Sequence, residues 1–149
     1  MSNFERYYNF MEKYTNFYRE VEKVEYEKLD SLMSNDLDRI QKVMQEYESY
    51  IKKAQAVESE RIELCKDLGF ENMAYSEVLR HFDGDEKHKL MEQKNILETI
   101  LKTIKYLNEK SLEFAQMQMS FAEGDVATYN AKGKADSHLG ASGLLNKQI

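Results

Sequence analysis

The sequence contains no proline and only six glycines in 149 residues. Proline removes a helical hydrogen bond and glycine weakens helices, so their scarcity leaves long stretches in which nothing interrupts a helix. Four of the glycines lie after residue 123, which concentrates this effect in residues 1–123. Met, Glu, Lys, Gln and Leu, all good helix formers, dominate that stretch. The composition predicts an all-α chain and excludes a β-sandwich and a Rossmann fold.

Several other features are also missing from the chain. A single cysteine, Cys65, cannot form an internal disulfide. No apolar run reaches the roughly 18 residues that a membrane-spanning helix needs, and the N-terminus lacks the pattern of a signal peptide. The net charge is −6, from 27 acidic and 21 basic residues, with no basic block to bind nucleic acid. These absences predict a cytoplasmic protein with no membrane span and no nucleic-acid partner.

Apolar periodicity predicts three long amphipathic helices at about residues 3–33, 35–68 and 86–123, and a short helix at about 73–82. The apolar arc of the first helix spans roughly 200°, which suggests two packing partners, either two helices of the same chain or one of its own and one foreign. Glu58 and Arg61 lie at i, i+3 within the apolar stripe of the second helix, so we expect them to pair with each other or across helices. Asn108 and Ser111 lie within the third stripe, where buried polar residues can fix helix register. The pattern predicts an elongated, antiparallel, coiled-coil-like three-helix bundle.

Local signals define the ends of the second helix. Ser34-Asn35-Asp36 supplies a break and a short polar side chain that can cap a new helix. Gly69 is suited to the position after the helix, since glycine adopts the left-handed conformation without a Cβ penalty. The predicted apolar face between these signals includes Leu37, Ile40, Met44, Tyr47, Ile51, Ala54, Ile62, Cys65 and Leu68.

The last 26 residues, 124–149, differ from the rest. They hold four glycines and a net charge of +1, against −7 for residues 1–123. Burying their six sizeable apolar side chains would yield about 12–18 kcal/mol. Ordering 26 backbone units costs on the order of 26–50 kcal/mol. We therefore expect a helical domain over residues 1–123 and a flexible tail over 124–149 that becomes ordered when it binds a partner.

The sequence offers no catalytic constellation, and we predict neither an enzyme nor a cofactor. His81, Asp83, Asp85 and His88 cluster near the predicted connection and are the only candidates for a metal site. A hydrated turn with helix-capping acids is the preferred interpretation of this cluster, so we predict no metal. Cys65 lies on an apolar face without a nearby histidine, which favours a structural thiol over a nucleophile.

One apolar patch is not explained by the predicted core. Phe114, Met117 and Phe121 lie at i, i+3 and i+7 on the third helix, roughly 90° from its main stripe. Such a patch is typical of a groove for an incoming amphipathic helix, and methionine adapts to varied partners. A dimer contact explains it equally well at this point.

Four segments resemble the FlgN family of flagellar export chaperones. They are the corner Leu32–Ile40 with its Asn35-Asp36-Leu37, the run Arg61–Gly69, the stretch Leu107–Phe114, and Thr128–Gly133. Their order and spacing resemble the family more specifically than any one of them alone. The resemblance implies a cytoplasmic chaperone without catalytic activity.

The resemblance also implies partners and site residues. Family members bind the C-terminal amphipathic segments of the hook–filament junction proteins FlgK and FlgL before export. A tail tyrosine of the family docks on the export-gate protein FlhA, and Tyr129 is the residue that matches it. Substrate binding belongs to the C-terminal region, which corresponds here to Phe114, Met117, Phe121, Leu139, Leu144, Leu145 and Ile149.

Three alternatives stay open at the level of the sequence. A helical scaffold or adaptor could self-associate through the aromatic face of the first helix as a homodimer. A metal-binding bundle could use His81, Asp83, Asp85 and His88. A chaperone of the FliT type, for the filament cap, is a related possibility, although its members are generally shorter.

Overall fold

The computed structural model describes the backbone of residues 1–122 and the side chains of residues 1–119. Four α-helices make up this part of the chain: α1 (Asn3–Ser34), α2 (Leu37–Asp67), α3 (Tyr75–Val78) and α4 (Gly84–Ala122). A 3₁₀ turn at Leu79–His81 follows α3. No strand occurs within residues 1–122, and the predicted all-α class is confirmed.

The helix α1 packs against both α2 and α4. Arg6 near the start of α1 lies 4.0 Å from Asp67 at the end of α2, so these two helices run antiparallel. Gln93 of α4 donates to the carbonyl of Tyr8 at 3.3 Å and Gln118 donates to that of Leu32 at 3.5 Å, so α4 runs parallel to α1. Two packing partners for the wide apolar arc of α1 are therefore present within the chain.

The α1–α2 corner is built by the three residues that the sequence singled out. Asn35 adopts the left-handed conformation at φ 57°, which ends α1. The Asp36 side chain then accepts a hydrogen bond from the backbone N–H of Arg39 at 3.3 Å, which caps α2. The prediction began this helix at about residue 35, but α2 begins at Leu37 because Asn35 and Asp36 form the turn and the cap.

Removal of the α2 cap should have a measurable effect on stability. Asp36→Ala should lower the free energy of unfolding by about 1 kcal/mol, because a free N–H group of the first turn loses its acceptor. Asp38→Ala is the matched control, since Asp38 lies in the first turn of α2 but does not cap it and should cost only about 0.3–0.5 kcal/mol. Urea unfolding followed by circular dichroism measures both; equal losses would contradict the assigned cap.

The other end of α2 also follows its sequence signal. Gly69 has φ 80°, and its N–H bonds the carbonyl of Lys66 at 3.3 Å. The N–H of Phe70 bonds the carbonyl of Cys65 at 2.7 Å, which completes a Schellman cap. The chain is thereby directed into the connection, where Phe70 is buried.

The connection and the start of α4 differ from the prediction. The single short helix expected at 73–82 is a one-turn α3 followed by the 3₁₀ turn. The third long helix, expected from about residue 86, begins at Gly84, so that Asp85 and Glu86 lie in its first turn. Acidic side chains there are favourable because the N-terminal end of a helix carries partial positive charge.

The largest buried cluster lies at the end of the molecule that contains α3. Aromatic side chains dominate it: Tyr7 contacts Tyr75 at 5.4 Å between ring centroids, and Tyr14 contacts Tyr18 at 5.0 Å. This aromatic cluster extends along α1 as far as Val21 and along α4 as far as Ile104. The half of the molecule next to the α1–α2 corner lies beyond it.

The apolar face of α2 is narrower than the sequence predicted. Leu37 is 77% exposed and Ile62 is 51% exposed, although both were placed on the buried stripe. The reason is that α2 packs closely against only one long helix, α1, so it buries a narrower stripe than a helix with two partners.

Candidate partner-binding surface

The predicted binding patch lies on the last turns of α4, beside the α1–α2 corner. Gln118 donates hydrogen bonds to the Asn35 side chain at 2.5 Å and to the carbonyl of Leu32, which fixes this part of α4 against the corner. Phe114 is half-buried, and Met117 is 59% exposed. Phe121 lies within the last turn of α4, but its side chain is outside the described residues. The structure thus describes two of the three patch side chains.

The remaining predicted site residues fall in the tail. Leu139, Leu144, Leu145 and Ile149, assigned to substrate binding, lie outside the described residues, as does Tyr129, assigned to export-gate docking. Their roles stay predictions.

An exposed groove between α1 and α4 was not predicted from the sequence. We call it the α1–α4 groove; its lining includes Arg19, Glu22, Tyr26, Ile96, Thr99 and Thr103. Met33 follows Tyr26 by seven residues on α1, and Met117 follows Thr103 by fourteen residues on α4, so each lies on the groove side of its helix. Tyr106, three residues after Thr103, borders the same side.

Large apolar side chains are concentrated along this groove. Five of them are between 44% and 59% exposed: Tyr26, Met33, Ile96, Tyr106 and Met117. We call them the apolar row. Single exposed apolar residues are common on proteins, whereas large contiguous apolar patches are typical of interaction surfaces. The sequence does contain a signal for this surface: residues 96, 99, 103 and 106 are spaced by three and four positions, so they form a second face of α4 beside its main apolar stripe.

A polar cluster lies in the interior of the corner half, where α1 meets α2 and α4. Lys28 is 1% exposed; its Nζ lies 3.0 Å from Oε2 of Glu25, also fully buried, and donates to Oδ1 of Asn108 at 2.7 Å. The ring of Tyr47, from α2, lies 4.0 Å from the same Nζ. We call these four residues the buried polar cluster. It joins the three long helices through one ammonium group.

Burial shifts the pKa values of the two charged residues of the cluster, Glu25 and Lys28. Loss of solvent raises the pKa of Glu25 above its ordinary value, and attraction to Lys28 and hydrogen bonding with Lys28 and Tyr47 oppose this shift. Burial lowers the pKa of Lys28, and Glu25 opposes that change. Each of the two residues therefore stabilises the charged form of the other. Asn108 was expected to be buried at a helix contact, and it is 7% exposed against Lys28.

A second buried ion pair joins α1 and α2. Nη2 of Arg61 donates to Oε1 of Glu58 at 2.7 Å, and Nε of Arg61 donates to Oε2 at 3.0 Å. The Tyr14 hydroxyl of α1 donates to Oε2 at 3.0 Å. Of the two predicted arrangements, pairing of Glu58 and Arg61 with each other is the one present. Because it lies within the helix packing, we assign it a structural role.

The connection offers no metal site within residues 1–122, since no three His, Cys, Asp or Glu side chains there group closely enough. His88 pairs with Glu92 at 3.0 Å, and the ring of His81 lies 5.2 Å from that of Phe70. Cys65 is buried, and Nη1 of Arg61 lies 4.0 Å from its sulfur. Burial raises the pKa of this thiol, which disfavours the reactive thiolate. None of the helices described has the length and apolarity to cross a bilayer.

The fold defines the class of the protein within residues 1–122: all-helical, built from long helices, with an exposed groove between α1 and α4. A family model described as FlgN protein matches residues 1–137. The chain belongs to the FlgN family. Members of this family are chaperones and not enzymes, so the role of the chain is that of a flagellar export chaperone in flagellum assembly. No curated protein and no solved structure matches the chain significantly.

Proposed function

We propose that this chain is a cytoplasmic chaperone for the hook–filament junction proteins of the FlgK and FlgL type. In this proposal it binds their C-terminal amphipathic helices and delivers them to the export-gate protein FlhA. Membership of the FlgN family, matched over residues 1–137, carries the proposal. A helix built to polymerise exposes an apolar stripe, which would aggregate or assemble early unless a partner covered it.

The exposed end of α4 supports this function physically. Met117 is exposed and Phe114 half-buried next to the α1–α2 corner, where Gln118 holds the helix in place. An adaptable apolar surface on a fixed helix suits helix-in-groove recognition. In the proposal, Phe121 and the tail residues Leu139, Leu144, Leu145 and Ile149 extend this surface, and Tyr129 contacts FlhA. An aromatic ring provides a large contact area with few rotatable bonds, which suits a docking residue.

Mixing the protein with a C-terminal segment of a FlgK- or FlgL-like protein from the same genome tests the proposal. Size exclusion with light scattering should show a one-to-one complex. A variant ending at Glu123 should bind the segment more weakly, by about tenfold or more, because several apolar contacts of the tail are lost. A filament-cap segment is the specificity control and should not compete.

Two results would contradict this function. A complex formed only with the filament-cap segment would support the FliT-type alternative. No complex with any segment, together with a dimer that survives loss of the tail, would favour the self-associating scaffold.

A further inference from the structure

We propose that the α1–α4 groove is the seat of the substrate helix, so that the binding surface runs along both helices and is not confined to the end of α4. This inference rests on the proposed function for its occupant, an amphipathic helix of an exported flagellar protein. It adds Tyr26 and Met33 of α1, and Ile96 and Tyr106 of α4, to the contact surface. None of these four was assigned from the sequence.

The floor of the groove is less polar than its sequence implies. The Thr99 hydroxyl donates to the carbonyl of Asn95 at 3.0 Å, and the Thr103 hydroxyl donates to that of Thr99 at 3.1 Å. Both hydroxyls are therefore satisfied within α4, and the threonines need no water or partner donor for this purpose. An apolar side chain can cover them without leaving a buried polar group unpaired.

The dimensions of the groove match those of a helix. The lining of the groove on α4 ends at Thr103, and by helical spacing the same face continues to Met117, 21 residues after Ile96, which corresponds to about 32 Å of helix. Residues on the groove side recur at seven-residue intervals on each helix, Tyr26 with Met33 and Ile96 with Thr103, as in faces that pack against another helix. Within the described chain, α2 packs against α1, but no α2 residue lines this groove.

The lining also defines the chemistry of the occupant. Arg19 and Glu22, of opposite sign, are the charged residues in the stretch that ends at Thr103, and the face of α4 that continues to Met117 adds Lys110 and Glu113, which pair with each other at 3.2 Å. Tyrosine, isoleucine and methionine supply the other large side chains. The partner is therefore a helix with an apolar stripe of about six turns, carrying few charges on that stripe. A terminal helix that polymerises through its apolar stripe after export has this character.

Three variants of the full chain test the groove. Tyr26→Ala and Tyr106→Ala remove exposed rings from its two sides, and Thr103→Arg places a charge on its floor. Ile62→Ala is the matched control, because Ile62 is equally exposed but lies on α2, away from the groove. Affinity for the synthetic C-terminal segment of a FlgK-like protein is measured by calorimetry. Circular dichroism confirms that each variant is folded.

We expect Tyr26→Ala and Tyr106→Ala each to weaken binding by about tenfold or more, because exposed aromatic anchors contribute disproportionately to helix recognition. Thr103→Arg should weaken it further, and Ile62→Ala should leave it within about twofold of the wild type. Wild-type affinity in all three groove variants would overturn the groove and leave the chaperone function standing. An equal loss in Ile62→Ala would also overturn it.

Two other outcomes identify a different situation. No binding by the wild-type chain would overturn the proposed function and the occupant with it. Light scattering of the protein alone, without the segment, then measures whether the chain forms a dimer. A dimer of the wild-type chain that dissociates in Tyr26→Ala and Tyr106→Ala would mean that a second copy fills the groove, which overturns the assignment to a substrate.

Discussion

Replacing Lys28 with methionine should lower the free energy of unfolding at pH 7 by about 3 kcal/mol. The change leaves the Glu25 carboxylate buried without its cation, and breaking such a pair typically costs about 3–5 kcal/mol. The loss of stability has an upper limit, because Glu25 can take up a proton instead of remaining charged without its cation. From the ordinary pKa of 4.5 for this group, that costs about 3.4 kcal/mol at pH 7.

The reverse change should be at least as costly. Glu25→Gln leaves the Lys28 ammonium with Asn108 and the ring of Tyr47. Deprotonating Lys28 at pH 7, from an ordinary pKa of 10.5, costs about 4.8 kcal/mol, so a loss of about 3–5 kcal/mol is expected. The double variant Glu25→Gln/Lys28→Met removes both charges and should lose much less than the sum of the two single changes.

The two single variants should respond to pH in opposite directions. Burial raises the pKa of Glu25, so keeping this carboxyl group buried costs no stability below its unfolded pKa of 4.5. The cost grows as the pH rises from 4.5 to the folded pKa and is complete above it. Lys28→Met should therefore approach wild-type stability as the pH falls towards 4.5. Burial lowers the pKa of Lys28, so Glu25→Gln should approach wild type as the pH rises towards 10.5.

Urea unfolding of the four proteins at pH 5, 7 and 9 provides this measurement. Other groups also titrate in this range, such as Glu98, whose lowered pKa favours the folded state at higher pH. Subtracting the wild-type free energy of unfolding at each pH removes their contribution and leaves that of the Glu25–Lys28 pair. Additive losses in the double variant would show that Glu25 and Lys28 are not coupled. A loss for Lys28→Met that is independent of pH would show that Glu25 does not titrate in response.

Arg61→Met should also destabilise the protein, by about 3 kcal/mol, since it removes the cation from a mostly buried carboxylate. Arg61 is 8% exposed and engages Glu58 through two of its nitrogens, whereas Tyr14 supplies only a neutral hydroxyl. Arg61→Lys keeps the charge but loses the fork of donors, so an intermediate loss is expected. Thermal or urea unfolding measures all of these variants.

An exposed ion pair at the same helix interface is the control. Nζ of Lys13 lies 3.2 Å from Oε2 of Glu60, but both side chains are more than half exposed. Lys13→Met should change stability by no more than about 0.5 kcal/mol, because water screens exposed pairs. Similar effects of Lys13→Met and Arg61→Met would mean that burial of the Glu58–Arg61 pair does not decide its contribution.

Local features of this fold could be predicted because they depend on neighbouring residues. The cap at Asp36 and the Schellman turn at Gly69 each involve side chains and backbone groups within a few residues. The Glu58–Arg61 pair is similarly local, being one helical turn apart. Periodicity also indicated that α1 has two partners, since a wide apolar arc cannot be buried by one helix.

The buried polar cluster and the α1–α4 groove could not be predicted, because each depends on how helices distant in sequence are placed. Lys28 is buried because Tyr47 and Asn108 approach it from α2 and α4, and no local pattern encodes that approach. Tyr26 is exposed although it lies near the wide apolar face of α1. Periodicity gives the direction of that face, but which of its edges remains open is decided by the positions of the neighbouring helices.

The uneven interior of the molecule bears on how it unfolds. The aromatic cluster holds the half near α3, whereas the corner half combines buried apolar side chains such as Val24, Val43 and Leu107 with buried charged and amide groups. Local stability follows the density of apolar contacts, so opening should begin at the corner and reach the aromatic half only in global unfolding. Amide exchange should therefore be faster in the corner half than in the aromatic half, and under the proposed function a bound cargo helix should slow the exchange of the corner half.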